Sequence, residues 1–311
     1  MTRQAISNPL HADEGADNGA PPPQINAPRH RRQLRIPPDV AQRIVVGGLW
    51  AIAMSAVAVL LFIIVFIMVK GLPHVTPEFL LQAPAKGGRL GGVSPMIFGT
   101  IAVAGLAVLI AGPIGVITAI YLTEYTRESK LTAFIRFGAD CLAGIPSIIF
   151  GLFGFVFFAD TLGLGISIIS GALTLALMVL PTIIRTSEEA IRAVPAAFRD
   201  VSFGLGSTRW QMVTRVVLRS ALPGIGTGIV LSIGRSISET AALMLTSGMV
   251  ARHPSSVFDS ARTLALHFFT LSREGISMPK AYATAAVLVL AILMINLLAY
   301  WFMRRFIARV R

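Results

Sequence analysis

The sequence predicts an all-α fold, a polytopic membrane protein of six transmembrane helices, and three observations carry that expectation. The 311 residues are 54% hydrophobic and only 14% charged, with a mean hydropathy of +0.73, a balance well outside that of ordinary soluble domains. Six apolar runs approach the roughly 20 residues that a helix needs to cross about 30 Å of hydrocarbon. The net charge of +12 comes from basic residues beside those runs, not from a stripe with interleaved aromatics. It therefore reads as membrane orientation, with no nucleic acid implied.

Residues 1–43, with "GAPPPQINAPRHRRQLRIPP", combine proline, glycine and polar residues with little to bury, and are expected to form a disordered cytoplasmic tail. "RHRRQLR" fits a positive flank and could also touch lipid headgroups. The first run, Val45–Val69, starts too late and is too long for a signal peptide. Residues 44–95 are thus read as the first transmembrane helix and an extracytoplasmic loop, in which "GGRLGG" is a flexible segment. The second, third and fourth spans are Met96–Leu122, Cys141–Phe158 and Leu164–Ile184, and only "ADTLGLG" separates the last two, so that turn must be tight. Pro223–Ser247 and Ala281–Met303 complete the set, with a basic cytoplasmic tail, 304–311, after them. Pro113, Pro146 and Pro181 can each kink or break a span. Residues 255–272 suggest an amphipathic helix outside the membrane.

Orientation follows from Lys/Arg near the span ends. Segments 1–44, 123–139, 185–222 and 304–311 carry 19 of the 27 Lys/Arg, so both termini are expected in the cytoplasm. Cys141 is the single cysteine, which excludes an intrachain disulfide and a Cys-x-x-Cys site. His11, His30, His74, His253 and His267 show no ligand spacing, and neither Gly-x-Ser-x-Gly nor His-Glu-x-x-His occurs. Gly-x-x-x-x-Gly-Lys-Ser/Thr, whose amides and lysine hold phosphates, is missing as well. No metal, no resident cofactor and no enzymatic activity is expected of this chain.

The fifth span contains "LSIGRSISETAALML", with Arg235 and Glu239 four residues apart in an otherwise apolar stretch. Counted from Pro223 at 1.5 Å per residue, Arg235 lies roughly 18 Å into the span, near the midplane. A charge there costs about 2.5–3.5 kcal/mol on insertion scales, so it should face protein or a water-filled cavity. On a continuous helix Ser232, Arg235, Ser236, Glu239 and Thr246 share a face. Two readings stand: a neutral clasp that fixes packing, and a polar stripe along a pathway. They can coexist. A guanidinium fork suits tetrahedral oxyanions, and a nearby carboxylate keeps the ion from binding too tightly to leave.

Between the fourth and fifth spans, Ile191, Val194, Phe198, Val201 and Leu205 recur at steps of three and four, with a restart or kink expected at Pro195. Gly204 and Gly206 break that helix, and Trp210, Val213 and Val217 form a second stripe. Two short helices joined by a glycine turn can lie on the membrane surface or offer a knob to a partner.

The spacing of this loop resembles the permease signature of ABC importers, Glu-Ala-Ala, three residues, Gly, nine residues, Ile, one residue, Leu-Pro. The matching positions are Asp200, Val201, Ser202, Gly206, Val216 and Leu218. Asp replaces Glu, Val and Ser replace the alanines, and Arg219 stands where the family has proline, with Pro223 four places later. "LAGIPSIIFGLFG", "LPTIIRTSEEAIRAVP" and "RSISETAALMLTSG" are similar to stretches of phosphate-specific importer permeases, the last to the PstA-type subunit. The resemblance implies the type I (MetI-like) permease bundle over 96–303, with 186–222 as the loop that couples to an ATPase. It implies import of inorganic phosphate across a bacterial inner membrane, with sulfate or molybdate as the alternative oxyanion. It also implies a PstC-like second permease, two PstB-like ATP-binding subunits carrying ATP-Mg, and a PstS-like phosphate-binding protein. Arg185, Arg235 and Glu239 fall where that family has charged residues implicated in transport. For Arg185 an anchor at the end of the fourth span remains the other reading.

Overall fold

The computed structural model describes residues 38–127 and 129–310. It divides into two units, whose described parts are 38–58, within the first helix, and 59–310. In chain order come α1 (Pro38–Gly71), α2 (Pro77–Leu81), α3 (Ser94–Ile120), α4 (Lys130–Ala143), α5 (Ser147–Gly154) and α6 (Ile168–Arg192). After them come α7 (Ala196–Gly204), α8 (Arg209–Met212), α9 (Leu218–Ser238), α10 (Ala241–Thr246), α11 (Leu264–Arg273) and α12 (Met278–Val310). Among the described residues three π-helical turns prolong helices: Tyr121–Tyr125 after α3, Phe155–Thr161 after α5, and Val213–Val217, which joins α8 to α9.

Among the described residues five helices are long and apolar enough to cross a membrane, and a sixth span exists if the bent pair of α4 and prolonged α5 is one. The third span differs from the expected Cys141–Phe158. The chain turns by 102° between Ala143 and Ser147, so Cys141 ends α4 while the apolar helix begins at Ser147. Pro146 explains the break, since it lacks an amide hydrogen and pushes the residue before it out of the helical region. The fifth span also stops early. Helix α9 ends at Ser238, Glu239 is extended at φ −71°, ψ 135°, and α10 starts two residues later. The interval between the fourth and fifth spans shrinks as well, because α6 runs to Arg192 and the next long helix starts at Arg209. "GGRLGG" belongs to a small antiparallel hairpin that pairs Pro84 with Gly91. The tight turn after α5 is as expected, with Gly163 and Gly165 at φ +68° and +65°.

Helix α6 forms the centre. Its N-terminus is capped by Ser167, whose side chain accepts from the Ser170 amide. Ala172, Leu175, Met178, Val179 and Ile183 are buried against Val103, Ala107 and Ala111 of α3. Small residues let the helices close up: Gly224 of α9 packs on Ala190 of α6, and Gly228 packs on Thr186. In lipid, such close approach replaces the hydrophobic drive that water supplies elsewhere. Helix α10 packs the same way, with Ala242 on Gly151 of α5 and Ser247 on Gly171 of α6.

This packing predicts unequal responses to one added methyl group. A Cβ at Gly228 would come within 2.8 Å of Thr186 Cβ, whereas one at Gly105 meets nothing within 4 Å. Gly228→Ala should destabilise by about 1–3 kcal/mol through overpacking, while Gly105→Ala should be neutral or slightly stabilising. Thermal unfolding midpoints in detergent check both.

Candidate functional site

The α6–α9 packing fixes the depth of Arg235. Gly224 on Ala190 and Gly228 on Thr186 set an antiparallel register, and Leu243 and Ser247 on Gly171 continue it. About two turns beyond Gly228, Arg235 therefore stands opposite the region of Val179, near the middle of the 25-residue α6. Its side chain is exposed on this chain and makes no hydrogen bond or ion pair among the described residues.

The other members of the expected stripe do not share that face. Ser232 and Ser236 are 0% and 1% exposed. Ser232 donates to the Gly228 carbonyl at 2.9 Å, and Ser236 Oγ is buried without a partner among the described residues. Glu239 has left the helix, and its Oε1 accepts from the amides of Thr240 at 3.1 Å and Ala242 at 3.2 Å. A continuous helix would have set it one turn above Arg235; instead it caps α10. Thr246 lies buried on α10 and donates to the Ala242 carbonyl.

Arg185 sits about 9 Å away along the same register, towards the α6–α7 end. It is charge-compensated: Nη1 lies 2.7 Å from Asp140 and Nε lies 3.5 Å from Glu189. Nearby, Arg136 Nε pairs with Glu188 at 3.3 Å. A cavity of about 270 Å³ between α4 and α6 is lined by Arg136, Arg185 and Arg192 together with Asp140, Glu188 and Glu189. Its formal charge is balanced.

The six loop positions run from α7, through the turn after it and the π turn Val213–Val217, to the start of α9. Asp200 and Val201 are exposed, and Ser202 is buried with its hydroxyl 2.6 Å from that of Ser207. Gly206 takes φ +80°, the left-handed conformation that a side chain would strain. Val216 lies in the π turn, half-buried, and Leu218 packs on a core of Ile191, Val194, Met212 and Val217. Pro195 does restart the helix, and the apolar stripe divides there. Ile191 and Val194 face inward, whereas Phe198, Val201 and Leu205 are 50%, 62% and 84% exposed.

One pair in this region has no signal in the sequence. Arg199 of α7 reaches Glu124, 75 residues away, at 2.7 Å. Nothing local distinguishes either residue from a basic or acidic flank.

At the opposite end of the bundle, His267 of α11 is 2% exposed. Burial, then Arg262 and Lys280, lower its pKa to about 4, so it is neutral at neutral pH. Among the described residues no group of three or more His, Cys, Asp or Glu could hold a metal.

The cap at Glu239 is testable. Glu239→Gln keeps an oxygen for both amides and should unfold close to the parent temperature. Glu239→Leu removes it and should cost about 0.5–2 kcal/mol, read as a lowered thermal midpoint.

Comparison with known proteins bears on this arrangement. Residues 111–311 match the family described as binding-protein-dependent transport system inner membrane component. The "Probable ABC transporter permease protein YqgI" of Bacillus subtilis is 34% identical over 271 residues, covering 82% of this chain and 91% of that protein. "Phosphate transport system permease protein PstA 1" of Mycobacterium tuberculosis is 38% identical over 226 residues, 71% of this chain and 72% of that protein. The fold is shared with the inward-facing MetNI methionine ABC transporter at TM-score 0.59 and 19% identity, covering 70% of this chain and 96% of that one. It is also shared with an importer of the acidic polysaccharide alginate, at TM-score 0.62 and 16% identity, covering 86% and 97%. With more than half of its length inside one family, and its helices in that family's permease fold, the chain belongs to the binding-protein-dependent inner-membrane components, as the permease subunit of an ABC transporter.

Proposed function

We propose that this chain forms half of the pathway of an ATP-driven importer of inorganic phosphate. The observation that carries this reading is Arg235: a cation level with the middle of the bundle, exposed, and uncompensated by any described carboxylate. Such a charge needs a polar partner when the subunit is assembled in a membrane. The 38% identity to a phosphate transport permease supports an oxyanion as that partner.

Chemically, the guanidinium presents donors in a plane that matches two oxygens of a tetrahedral anion. Phosphate near neutral pH can retain a proton and donate it to Glu239, while sulfate cannot. Glu239 Oε1 already accepts two amides, which leaves the second oxygen for that contact. Ser232 and Ser236 line the buried side of the same helix and hold its position, and Arg185 is assigned to the inner mouth. The positive-inside count supports cytoplasmic termini and a cytoplasmic α7.

In the assembly we envisage, a PstC-like permease supplies the other half of the pathway and a PstS-like protein delivers phosphate from outside. Two PstB-like subunits bind and hydrolyse ATP, for which this chain offers no P-loop sequence. The exposed apolar residues of α7 dock on one of those subunits. Its closure on ATP tilts the bundles, so that Arg235 faces first the binding protein and then the cytoplasm.

Uptake of radiolabelled phosphate by proteoliposomes holding the whole complex tests this. Arg235→Gln should lower uptake at least tenfold with assembly intact, and excess sulfate or molybdate should not compete in the parent. Glu239→Gln should admit sulfate as a competitor. Unchanged selectivity would remove Glu239 from the discrimination, and full activity of Arg235→Gln would remove the carrying observation.

A further inference from the structure

Helix α3 does not end as an α-helix. Its last turn, Tyr121–Tyr125, is π-helical, and one extra residue in a turn rotates the subsequent residues by about 100° while freeing backbone carbonyls. Three groups of this turn each hold a different element. The Leu122 carbonyl accepts from Arg136 Nη2 of α4 at 3.3 Å. The Glu124 carboxylate accepts from Nε and Nη2 of Arg199 on α7, at 3.1 and 2.7 Å. The Tyr125 ring lies 5.9 Å from the guanidinium carbon of Arg209, the first residue of α8.

Arg199 also closes the corner between α6 and α7. Its Nη1 donates to the Val194 carbonyl at 2.7 Å and its Nη2 to the Ile191 carbonyl at 3.0 Å, which also accepts from the Val194 amide at 3.2 Å. The pair is well shielded, with the Arg199 side chain 21% and that of Glu124 7% exposed. Beside it Ala119, Ile191, Val194, Met212, Val213 and Val217 form one apolar cluster. The segment carrying Phe198, Val201 and Leu205 is therefore not slung on a slack loop. Both of its arms are seated on the same turn of α3, through Arg199 before the glycine turn and Arg209 after it.

We propose that the Tyr121–Tyr125 turn is the joint that passes a displacement of α7 to α3, α4 and α6, with Glu124 and Arg199 as its clasp. Both are positioning residues: they contact no transported ion, and they convert movement of the docking segment into movement of the bundle. Without the clasp, the corner at residues 193–195 absorbs the displacement. This proposal rests on the reading that α7 docks on an ATP-hydrolysing subunit.

The test uses the complete complex, with its ATPase subunits and binding protein, in proteoliposomes. Three quantities are read: recovery of the ATPase subunit with tagged permease, ATP hydrolysed, and phosphate taken up. Failure of the parent complex to retain an ATPase subunit refutes the docking reading itself. With docking intact, Glu124→Gln should retain the ATPase subunit and hydrolyse ATP while phosphate moved per ATP falls at least tenfold. A parental ratio overturns the joint. If Glu124→Gln does not assemble, Glu124→Asp decides, since it keeps the charge on a shorter arm: a ratio lowered at least threefold supports the clasp, and a parental ratio overturns it. Loss of assembly in both variants assigns the pair to folding alone and also overturns it.

Discussion

A helix that stops among packed neighbours leaves amides and carbonyls that must find other partners, and that constraint governs the region around Glu239. Where water is excluded, each orphan costs several kcal/mol. The interruption is tolerated because Glu239 takes the first amides of α10 and because α10 is packed on α5 and α6 through Gly151 and Gly171. Arg235, in the last turn of α9, adds a positive charge where the helix presents its free carbonyls, which is the favourable end for a cation. The discontinuity and the two charges are thus one construction, in which the Arg235 side chain stays exposed.

The basic residues at the other end of α6 follow a different rule. Arg136, Arg185 and Arg199 each meet a carboxylate of a neighbouring element or turn. For the exposed Arg185 pair the stabilisation is small, as solvent screens it. For Arg199 and Glu124, removal of one partner strands a shielded charge, a change that costs about 3–5 kcal/mol in buried pairs. Charge is thereby neutralised among the described residues where the bundle is braced, whereas Arg235 makes no ion pair among them.

Much of this architecture was legible in the sequence, because apolar length and Lys/Arg bias are properties of single segments. The tight turn at Gly163 and Gly165 and the restart at Pro195 could be read locally, whereas the division of the stripe into inward Ile191 and Val194 and outward Val201 and Leu205 could not, because periodicity alone does not say what each half meets. The bend at Pro146 could be flagged but not resolved, since a proline within an apolar run fits both a kink and a stop. The expected face from Ser232 to Thr246 is divided in the structure for a related reason. Periodicity assumes an unbroken helix, and no proline or glycine marks the departure of Glu239. Glu124 and Arg199 were invisible because their partnership exists only once α3 and α7 have met.

The bend before α5 also bears on how the chain enters a bilayer. From Ser147 to Thr161 the helix rises about 22 Å at 1.5 Å per residue, short of the roughly 30 Å to be crossed. Its amphipathic neighbour α4 turns Arg136 and Asp140 towards α6, so it cannot lend the missing length without stranding both charges in the acyl region. During synthesis the short helix is therefore a poor insertion signal by itself. The compact glycine turn offers the remedy: α5 and α6 can enter together as a hairpin, with the longer arm carrying the shorter one in.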